Sequence, residues 1–562
     1  MSHPYDADVV IIGAGPVGLS AAMALDAQGV STILIEERPY LRPPSVKSNH
    51  VSSRTMERFR RLGIARKVRD AGLPPDYPND VSFRTTLVGE EIGRIPIPAR
   101  QDRYTSTAGP DTGWNTPEPP HRINQSFLEP VLLKHVASLP NVTLMNLTRF
   151  QHFDQSTDGV GVVVSNIDGT DERALRAQFL LGADGSRSKV RKQIHAQFEG
   201  NATLQRVMST YIRAVGLYDL MPGSRAWSYY TFNTRRNGHV YAVNGRDTFL
   251  IHSYLTAEEA ETASVDRDAS IRAILGVDDT FQYEILSKED WVARRLVANR
   301  FRDGRVFIAG DAAHLWVPYA GYGMNAGIAD ALNLTWLFAA HLKGWAGQEI
   351  LEAYEAERQP ITAQVSRFAM NHAEEMMKAR KAVPPSIEDD SSDGRNARQR
   401  VGREAYELNV EQFAAEGLNY GYVYDESPII IYDGEDAPAY TMGGYTPSTV
   451  PGCRAPHFWL KPDVSLYDEL GNGYTLLRFD QDINIATLVN AAARVKMPLK
   501  TIDVMTGQAP AAYQHALIIC REDQHIAWRG DEIPTDAELL VDHLRGVRTP
   551  YSMSTPKHEI GR

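Results

Sequence analysis

The chain has 562 residues, of which 43% are apolar and 23% charged, and its formal net charge is -11 at pH 7. This length exceeds what one hydrophobic core holds, so two or three domains are expected, and the acidic balance argues against nucleic acid or an anionic membrane as a partner. The two cysteines, Cys453 and Cys520, form no CxxC pair, which argues against a disulfide framework, a thiolate metal site or dithiol redox chemistry. Without a long apolar run or a signal-peptide pattern, we expect a cytoplasmic protein with no membrane span and no metal.

The segment Asp8–Glu36 has the pattern of a βαβ unit. The apolar strand Val9–Ile12 is followed by the turn GAGPVG, a helical stretch and a second apolar strand that ends at Glu36. The glycines allow a tight turn, close approach of a pyrophosphate and tight helix–strand packing, and an acid at the second strand end suits ribose hydroxyls. The spacing therefore predicts a dinucleotide-binding unit.

The middle of the chain changes from helix and loop to sheet. Helical patterns at 55–62 and 122–136 flank residues 73–121, which are rich in Pro, Gly and Tyr and predict strands with long loops. Between 205 and 300, apolar runs alternate with NG and GRD turns, which is typical of antiparallel strands. The many aromatic residues there predict that this sheet forms one wall of a small-molecule pocket.

The stretch Gly304–Leu342 combines a strand, an acid, a glycine turn and a helix. Val306–Ala309 is a buried-strand pattern, Asp311 follows it, and a glycine-rich turn leads into a long helical pattern. A helix N-terminus behind such a turn favours an anionic or polyhydroxylated ligand. We interpret this stretch as the site of the isoalloxazine ring and ribityl chain of a flavin.

The C-terminal part predicts a further domain. A helix at 350–380 contains Pro360, expected as a kink or stop, and the polar segment 384–393 predicts a mobile loop or linker. From about Gly444, strands and helices alternate as in a thioredoxin-like α/β domain. The expected fold class is therefore α/β and α+β, with a Rossmann-like FAD domain, an antiparallel-sheet substrate domain and a thioredoxin-like C-terminal domain.

Three motifs, GAGPVG with Glu36, GADGSRSKVR at 182–191 and GDAAH…GYGMNAGIADALNL at 310–334, resemble those of the class A FAD-dependent aromatic hydroxylases. The runs PGCRAPHFWL, SLYDELGNGYTLL and DQHIAWRG make the chain similar to the phenol and chlorophenol hydroxylase branch. The resemblance implies a discontinuous FAD domain at 1–75, 122–200 and 300–380 and a substrate domain at 76–121 and 201–299. It also implies a linker with helical segments at 381–443 and a thioredoxin-like C-terminal domain at 444–562.

The same resemblance assigns residues to the cofactor. Those expected to contact FAD are Gly13, Gly15, Pro16, Gly18, Glu36, Glu37, Lys47, Gln125, Asp184, Asp311, Pro318, Gly321, Gly323, Met324 and Asn325. Glu37 stands where the family usually has a basic residue, and Lys47 where it commonly has an arginine. Asp184 belongs to a motif implicated in both FAD and NAD(P)H binding. No second GxGxxG is present, so NAD(P)H is expected to bind without a Rossmann domain of its own.

The sequence offers several residues that could act on the substrate or contact it. Asn49 stands where phenol hydroxylases have an aspartate that acts on the substrate hydroxyl, so a base must lie elsewhere or the substrate must bind already ionised. Besides Asn49 itself, the catalytic candidates are His252, a histidine suited to act on a phenol, His50 and Tyr229; His252 could equally be a structural residue, and Tyr229 could equally pack in the wall. The residues that could contact substrate are Tyr229, Tyr241, Arg246, His252, Trp316 and Pro318, although Arg246 fits a solvated turn better.

The resemblance implies NAD(P)H- and O2-dependent hydroxylation of a phenolic ring through a C4a-hydroperoxyflavin, in aromatic compound degradation, by a homodimer. One alternative is an oxygenase of a polyketide-like or heteroaromatic ring. Another is a flavin-binding NAD(P)H oxidase or sensor that hydroxylates nothing, and Asn49 is the feature that favours it.

Overall fold

The computed structural model describes residues 5–42, 46–256, 258–259, 265–317, 321–505 and 507–547, without the side chains of residues 201–204. The chain forms two units. The first comprises Met1–Leu332, Arg358–Tyr422 and Ala439–Thr446, and the second comprises Asn333–Glu357, Val423–Pro438 and Pro447–Arg562. No helix among the described residues is both long enough and apolar enough to cross a bilayer.

The first unit contains a mixed sheet that begins with the predicted βαβ segment and whose five central strands run parallel. In chain order, the elements within residues 1–422 begin with β1 (Ala7–Ile12), α1 (Pro16–Ala27), β2 (Thr32–Ile35), β3 (His50–Val51), α2 (Ser53–Arg61), α3 (Ala65–Arg69), β4 (Val81–Arg84), β5 (Glu91–Ile95), β6 (His121–Arg122), α4 (Gln125–Val136), β7 (Val142–Met145), β8 (Thr148–Gln155), β9 (Val160–Asn166), β10 (Arg173–Gly182) and α5 (Lys189–Gln193). The remaining elements are β11 (Phe198–Arg213), β12 (Ser228–Thr231), β13 (Gly238–Ala242), β14 (Thr248–Tyr254), α6 (Arg267–Leu275), β15 (Glu284–Lys288), β16 (Trp291–Ala298), β17 (Arg302–Asp303), β18 (Val306–Ile308), β19 (His314–Leu315), α7 (Tyr322–Leu342), α8 (Glu352–Lys381), α9 (Ser392–Phe413) and α10 (Glu416–Tyr420).

The mixed sheet has the order β17-β18-β10-β1-β2-β7, with β9 on β10 and β8 on β9, and the strands β17, β9 and β8 are antiparallel to their neighbours. Its central strand β1 pairs in parallel with both β10 and β2. Val9 to Ile11 are fully buried, as expected of a strand covered on both faces. The carboxyl ends of β1, β10 and β18 lie side by side, so the turns after Ile12, Gly182 and Ile308 meet at one edge of the sheet.

The second sheet is mostly antiparallel and has the order β19-β16-β11-β14-β13-β12-β4-β5, with β15 on β11. Its register fixes which side chains share a face, because residues directly opposite each other point the same way. His239 on β13 lies opposite both Tyr230 on β12 and His252 on β14. These three residues therefore share one face with Tyr241, which is two residues from His239.

Two sequence expectations for the helical region need correction. Pro360 does not end its helix, because α8 runs without interruption from Glu352 to Lys381. The polar segment 384–393 is ordered: Pro385–Glu388 forms a 3-10 helix, and the Ser391 side chain accepts the Gly394 N–H to cap α9.

The second unit has the predicted thioredoxin-like topology. Its elements are β20 (Trp459–Lys461), β21 (Val464–Ser465), α11 (Leu466–Glu469), β22 (Tyr474–Arg478), α12 (Ala486–Arg494), β23 (Leu499–Asp503), β24 (Leu517–Arg521), β25 (Ile526–Gly530) and α13 (Ala537–Leu544). The sheet order is β23-β22-β24-β25, with β22 and β23 parallel and the other pairs antiparallel. Burial raises the pKa of the Cys453 thiol to about 11 and raises that of Cys520 further, so neither is a reactive thiolate.

A buried ion cluster holds the second unit together. The fully buried Arg521 donates from Nη2 to Glu357 Oε2 at 2.8 Å and to Asp523 Oδ2 at 2.7 Å. Asn333 Nδ2 donates to the same Glu357 oxygen at 2.7 Å. Because two carboxylates share this guanidinium, its removal would leave both as buried charges.

We expect Arg521→Met to destabilise the protein by about 3–5 kcal/mol, since it leaves Glu357 and Asp523 unpaired. The midpoint of urea unfolding measures the effect. The matched control is Arg478→Met, because Arg478 pairs with Asp503 at the surface, where solvent screens the pair, and its midpoint should stay close to that of wild type. Equal midpoints for the two variants would contradict this role of Arg521.

Candidate flavin and substrate site

The glycine turn after β1 has the close contacts expected of a dinucleotide-binding turn. Gly13 has a φ of +103°, and a Cβ there would lie 2.4 Å from the Ala183 carbonyl oxygen; a Cβ on Gly18 would lie 1.9 Å from the Gly13 oxygen. A Cβ on Gly15 would meet no protein atom within 4 Å. Pro16 begins α1, where its missing N–H costs nothing. Gly13 and Gly18 therefore close the turn, and Gly15 leaves open space before the helix N-terminus.

Glu36 at the end of β2 is held by the turn itself. Its Oε2 accepts the Ala14 N–H at 3.0 Å, and Arg38 Nε donates to Oε1 at 2.9 Å. Burial would raise the pKa of Glu36, but the Arg38 guanidinium and these N–H groups lower it, so the carboxyl is ionised. Glu37 is instead exposed and pairs with Arg149. The basic partner of the strand-end acid is thus two residues beyond it, which the motif comparison missed.

Glu129 on α4 is a second residue that the motifs did not indicate, and it connects the Glu36–Arg38 pair to Gln125, a predicted FAD contact. Its buried carboxylate pairs with Arg38 at 2.7 Å and accepts a hydrogen bond from Gln125 Nε2 at 3.0 Å. Lys47, in contrast, is largely exposed and pairs with Glu289. The Gln125 N–H donates to the Ser48 carbonyl oxygen at 2.7 Å, which ties the start of α4 to the segment before β3.

Asp184 follows β10 and caps the next helix. It accepts hydrogen bonds from the Ser188 hydroxyl at 2.5 Å and the Lys189 N–H at 2.7 Å. Burial raises the pKa of this carboxyl, and these hydrogen bonds oppose the rise. Asp184 therefore orders the GADGSRS turn; its contact with FAD or NAD(P)H stays a prediction.

Asp311 follows β18 at the same sheet edge. Its side chain is exposed and has no hydrogen bond within the described part of the chain, yet desolvation raises its pKa, against the charges of His314 and Lys47. The exposure and the desolvation agree if the carboxylate faces a recess enclosed by protein. Such a group suits the hydroxyls of a ribityl chain.

The turn that carries Asp311 is fixed by Asp330, a residue on α7 that the motifs did not assign. Asp330 is fully buried, and its Oδ2 accepts the Gly310 N–H at 3.2 Å and a hydrogen bond from His314 Nε2 at 2.7 Å. Arg358 Nε donates to Oδ1 at 2.9 Å. Burial would raise the pKa of Asp330, but His314 and Arg358 lower it.

The start of α7 lies against β3. Asn325 Nδ2 donates to the carbonyl oxygens of His50 at 3.1 Å and Gly321 at 2.8 Å. A Cβ on Gly321, whose φ is +66°, would lie 3.1 Å from the His50 Cβ, whereas one on Gly323 would meet nothing within 4 Å. Met324 is half-buried beside this open space. Pro318 lies outside the described residues.

Asn49 and His50 point to different partners. The Asn49 side chain is buried, and its Oδ1 accepts a hydrogen bond from Asn124 Nδ2 at 2.5 Å. The His50 ring lies against Tyr322, with centroids 6.4 Å apart. Asn49 thus serves the β3–β6 connection; catalytic roles for either residue stay predictions.

An aromatic and histidine surface covers the face of the second sheet defined above. The His239 ring is stacked on Tyr230 at 3.9 Å and lies 4.1 Å from Tyr241, and its Nε2 bonds with the Ser228 hydroxyl at 2.6 Å. His252 meets the rings of Tyr241 and Trp291 edge-on at 5.8 and 5.7 Å. His252 Nδ1 is buried with no hydrogen-bond partner in the described structure. We call Tyr230, His239, Tyr241, His252 and Trp291 the histidine face.

The other substrate candidates lie elsewhere. Tyr229 is on the opposite face of the sheet, opposite Val240, where its hydroxyl accepts the Ala226 N–H at 2.6 Å. A ligand on the histidine face therefore cannot contact it. Arg246 is exposed in a turn, and its N–H donates to Asn244. Trp316 stacks on His314 at 4.7 Å, and its indole N–H is buried without a partner among the described residues.

The residues present fit FAD. Gly15 and Gly323 leave space where a pyrophosphate and a ring would approach two helix N-termini, and Asp311 offers an uncommitted carboxylate. Fold and site together define a FAD-binding flavoprotein.

Comparison with known proteins places this flavoprotein in a family. A model of the FAD binding domain matches residues 6–369, and one of the aromatic-ring hydroxylase C-terminal domain matches residues 448–547. The chain belongs to the FAD-dependent aromatic-ring hydroxylases, in the phenol hydroxylase-like group of class A flavoprotein monooxygenases. The expected fold class, the enzyme class and FAD as cofactor are thereby confirmed.

Among its relatives, phenol 2-monooxygenase from Pseudomonas sp. (strain EST1001) is 31% identical over 98% of this chain and 94% of its own length. A putative polyketide hydroxylase from Streptomyces halstedii is 29% identical over 96% of each chain. The structure of the rebeccamycin biosynthetic enzyme RebC with reduced flavin superposes with a TM-score of 0.87 and 31% identity, covering 96% of this chain and 99% of that one.

We expect Asp311→Ala to weaken FAD binding by about tenfold to a hundredfold, since a hydrogen bond to a charged group contributes about 1.5–3 kcal/mol. Fluorescence titration of the apoprotein with FAD measures it. The control is Asp76→Ala at an exposed site, which should bind FAD normally. Unchanged affinity in Asp311→Ala would remove Asp311 from the cofactor site.

Burial lowers the pKa of His252 to about 4. The unfolded chain takes up the proton near pH 6.5, so stability from the neutral imidazole is full above that pH and is lost as pH falls towards 4. We expect wild type to lose about 3 kcal/mol more than His252→Gln between pH 6.5 and 4, measured by urea unfolding. His152→Gln, at an exposed position, is the control and should follow wild type. Parallel pH profiles for wild type and His252→Gln would contradict the burial of a neutral His252.

Proposed function

We propose that the protein hydroxylates a phenolic ring bound on the histidine face, with NAD(P)H as reductant and O2 as oxidant. The bound FAD supplies the redox chemistry, and this chain's residues bind the ring, exclude water and handle the substrate proton. The observation that carries the proposal is the histidine face itself: a buried wall of flat rings with a ring nitrogen, His252 Nδ1, that has no hydrogen-bond partner among the described residues. The similarity to phenol 2-monooxygenase supports it.

The state of His252 limits what it does to the substrate. With its pKa lowered to about 4 by burial, the imidazole is neutral at neutral pH and accepts a hydrogen bond. It is a weak acceptor of the proton itself, because a phenol ionises near pH 10 and the transfer would cross about six pKa units. His252 therefore orients the hydroxyl in this proposal and does not ionise it alone.

We also propose a function for each domain. Residues 1–75, 122–200 and 300–380 bind FAD, residues 76–121 and 201–299 bind the substrate, and residues 381–443 connect these domains to the C-terminal domain. The homodimer expected from residues 444–562 stays a prediction, and light scattering of the purified protein tests it.

A second candidate is oxygenation of a polyketide-like or heteroaromatic ring. The similarity to the polyketide hydroxylase and to RebC favours it. It uses the same face of the sheet and differs in the size of the ring system accepted.

The test gives the yellow holoenzyme NADH or NADPH together with single-ring phenols and with multi-ring aromatics. Oxygen uptake matched by a hydroxylated phenol is the expected result, and product from multi-ring compounds alone would select the second candidate. Peroxide formation with every compound would contradict both and leave the NAD(P)H oxidase or sensor.

We expect His252→Ala to slow hydroxylation by about tenfold or more while FAD stays bound, because the substrate hydroxyl loses its acceptor. Product formation is measured with flavin content determined in parallel. The control is Tyr229→Phe, which lies on the opposite face and should retain turnover. Unchanged product formation in His252→Ala would exclude His252 from substrate positioning.

A further inference from the structure

Arg122 on β6 is a buried arginine with hydrogen-bond donors to spare. Its side chain is only 4% exposed. Nη2 donates to the Asp111 carboxylate at 3.3 Å and to the Phe413 carbonyl oxygen at 3.2 Å. Both of these hydrogen bonds come from the same nitrogen, Nη2. Since a guanidinium carries five N–H donors, Arg122 keeps donors available for a further group.

The charge around Arg122 is unbalanced. Asp111 is fully buried and is already held by Arg103 through two hydrogen bonds of 2.9 and 3.0 Å and by the Trp114 indole N–H at 2.6 Å. One carboxylate thus serves two buried arginines, so the Arg103–Asp111–Arg122 cluster carries a net charge of +1. An unpaired buried charge is costly, and an anion placed against it would offset that cost.

The position of Arg122 joins the two parts of the site. Its guanidinium lies 5.1 Å from the centre of the Trp227 ring, and Trp227 lies 5.4 Å from Tyr241 of the histidine face. Along β6, Arg122 is paired with His50, which contacts the backbone around Gly321 at the start of α7. Arg122 therefore stands between the predicted flavin ring site and the predicted substrate wall.

We propose that Arg122 donates hydrogen bonds to an anionic oxygen of the aromatic substrate, so that the site selects rings bearing a phenolate or a carboxylate. The proposal rests on the placement of the substrate on the histidine face. Hydrogen bonds from a guanidinium to an anionic oxygen are stronger than hydrogen bonds between neutral groups. In a site with little water they favour the ionised form of a bound acid. Arg122 would thus supply the charge stabilisation that Asn49 and a neutral His252 do not provide.

The first experiment compares benzoate with benzamide, a neutral compound of similar shape, by the change in flavin absorbance as each is titrated into the holoenzyme. Wild type should bind benzoate more tightly, and Arg122→Met should reduce that preference by about tenfold. Arg246→Met, a surface arginine, should keep it. The second experiment titrates bound 4-nitrophenol with pH: wild type should lower its pKa relative to free 4-nitrophenol, and Arg122→Met should reverse the shift.

A benzoate preference without a 4-nitrophenol shift would support the carboxylate as ligand, and the reverse would support the phenolate. Arg122→Lys keeps the charge without the planar fork and should keep part of the effect, which covers failure of Arg122→Met to fold. Wild type with neither effect, or Arg122→Met with both unchanged, would overturn the proposal. Because both readouts are binding measurements, they hold or fail separately from hydroxylation.

Discussion

The flavin half of the site depends on one buried carboxylate, Asp330. It takes hydrogen bonds from the Gly310 N–H, from His314 and from Arg358, and these bring together the end of β18, the strand β19 and the helices α7 and α8. A buried charge is tolerated only when its partners satisfy it, and here they do. The consequence is a fixed position for Asp311, the next residue after Gly310, whose carboxylate accepts no hydrogen bond from the residues that the structure describes.

The substrate half is built on a different principle. The histidine face is neutral, because burial lowers the pKa of His252 to about 4 and that of His239 well below its usual range. Positive charge lies beside this face, at the Arg103–Asp111–Arg122 cluster and at the buried Arg380, whose charge helps to lower the pKa of His239. In the function that we propose, a neutral acceptor at His252 and a separate cation at Arg122 would share the work that an aspartate does in phenol hydroxylases at the position of Asn49. Substrate orientation and substrate ionisation would then be separable properties.

Local patterns were enough for the backbone of the cofactor half. A glycine turn after a buried strand leaves few choices, so the tight turn of Gly13, Gly15 and Gly18 and the strand-turn-helix around Asp311 could be predicted from spacing, while their contacts with FAD stay predictions. The thioredoxin-like domain also followed from alternating elements. The length of α8 did not, because Pro360 is a weak guide when tertiary packing supports the helix.

The substrate half could not be predicted to the same depth. Alternation along a strand predicts that Tyr229 and Tyr230 point opposite ways, but only the register with β13 shows which of them faces His252. Arg122 and Glu129 lie outside the three motifs, and Asp330 lies within one of them without an assigned role; the importance of all three comes from partners distant in sequence. Arg38 differs from these three residues, because the family pattern does predict a basic residue close to Glu36. The pattern puts that residue at position 37, and the structure has it at position 38.

The most direct test is a crystal structure of the holoenzyme with a bound aromatic ligand. We predict the flavin ring beside Gly321–Asn325 and the ligand ring against Tyr241 and His252, with its acidic oxygen towards Arg122. A ligand ring bound on the Tyr229 face of the sheet, or a flavin ring remote from the start of α7, would contradict the account.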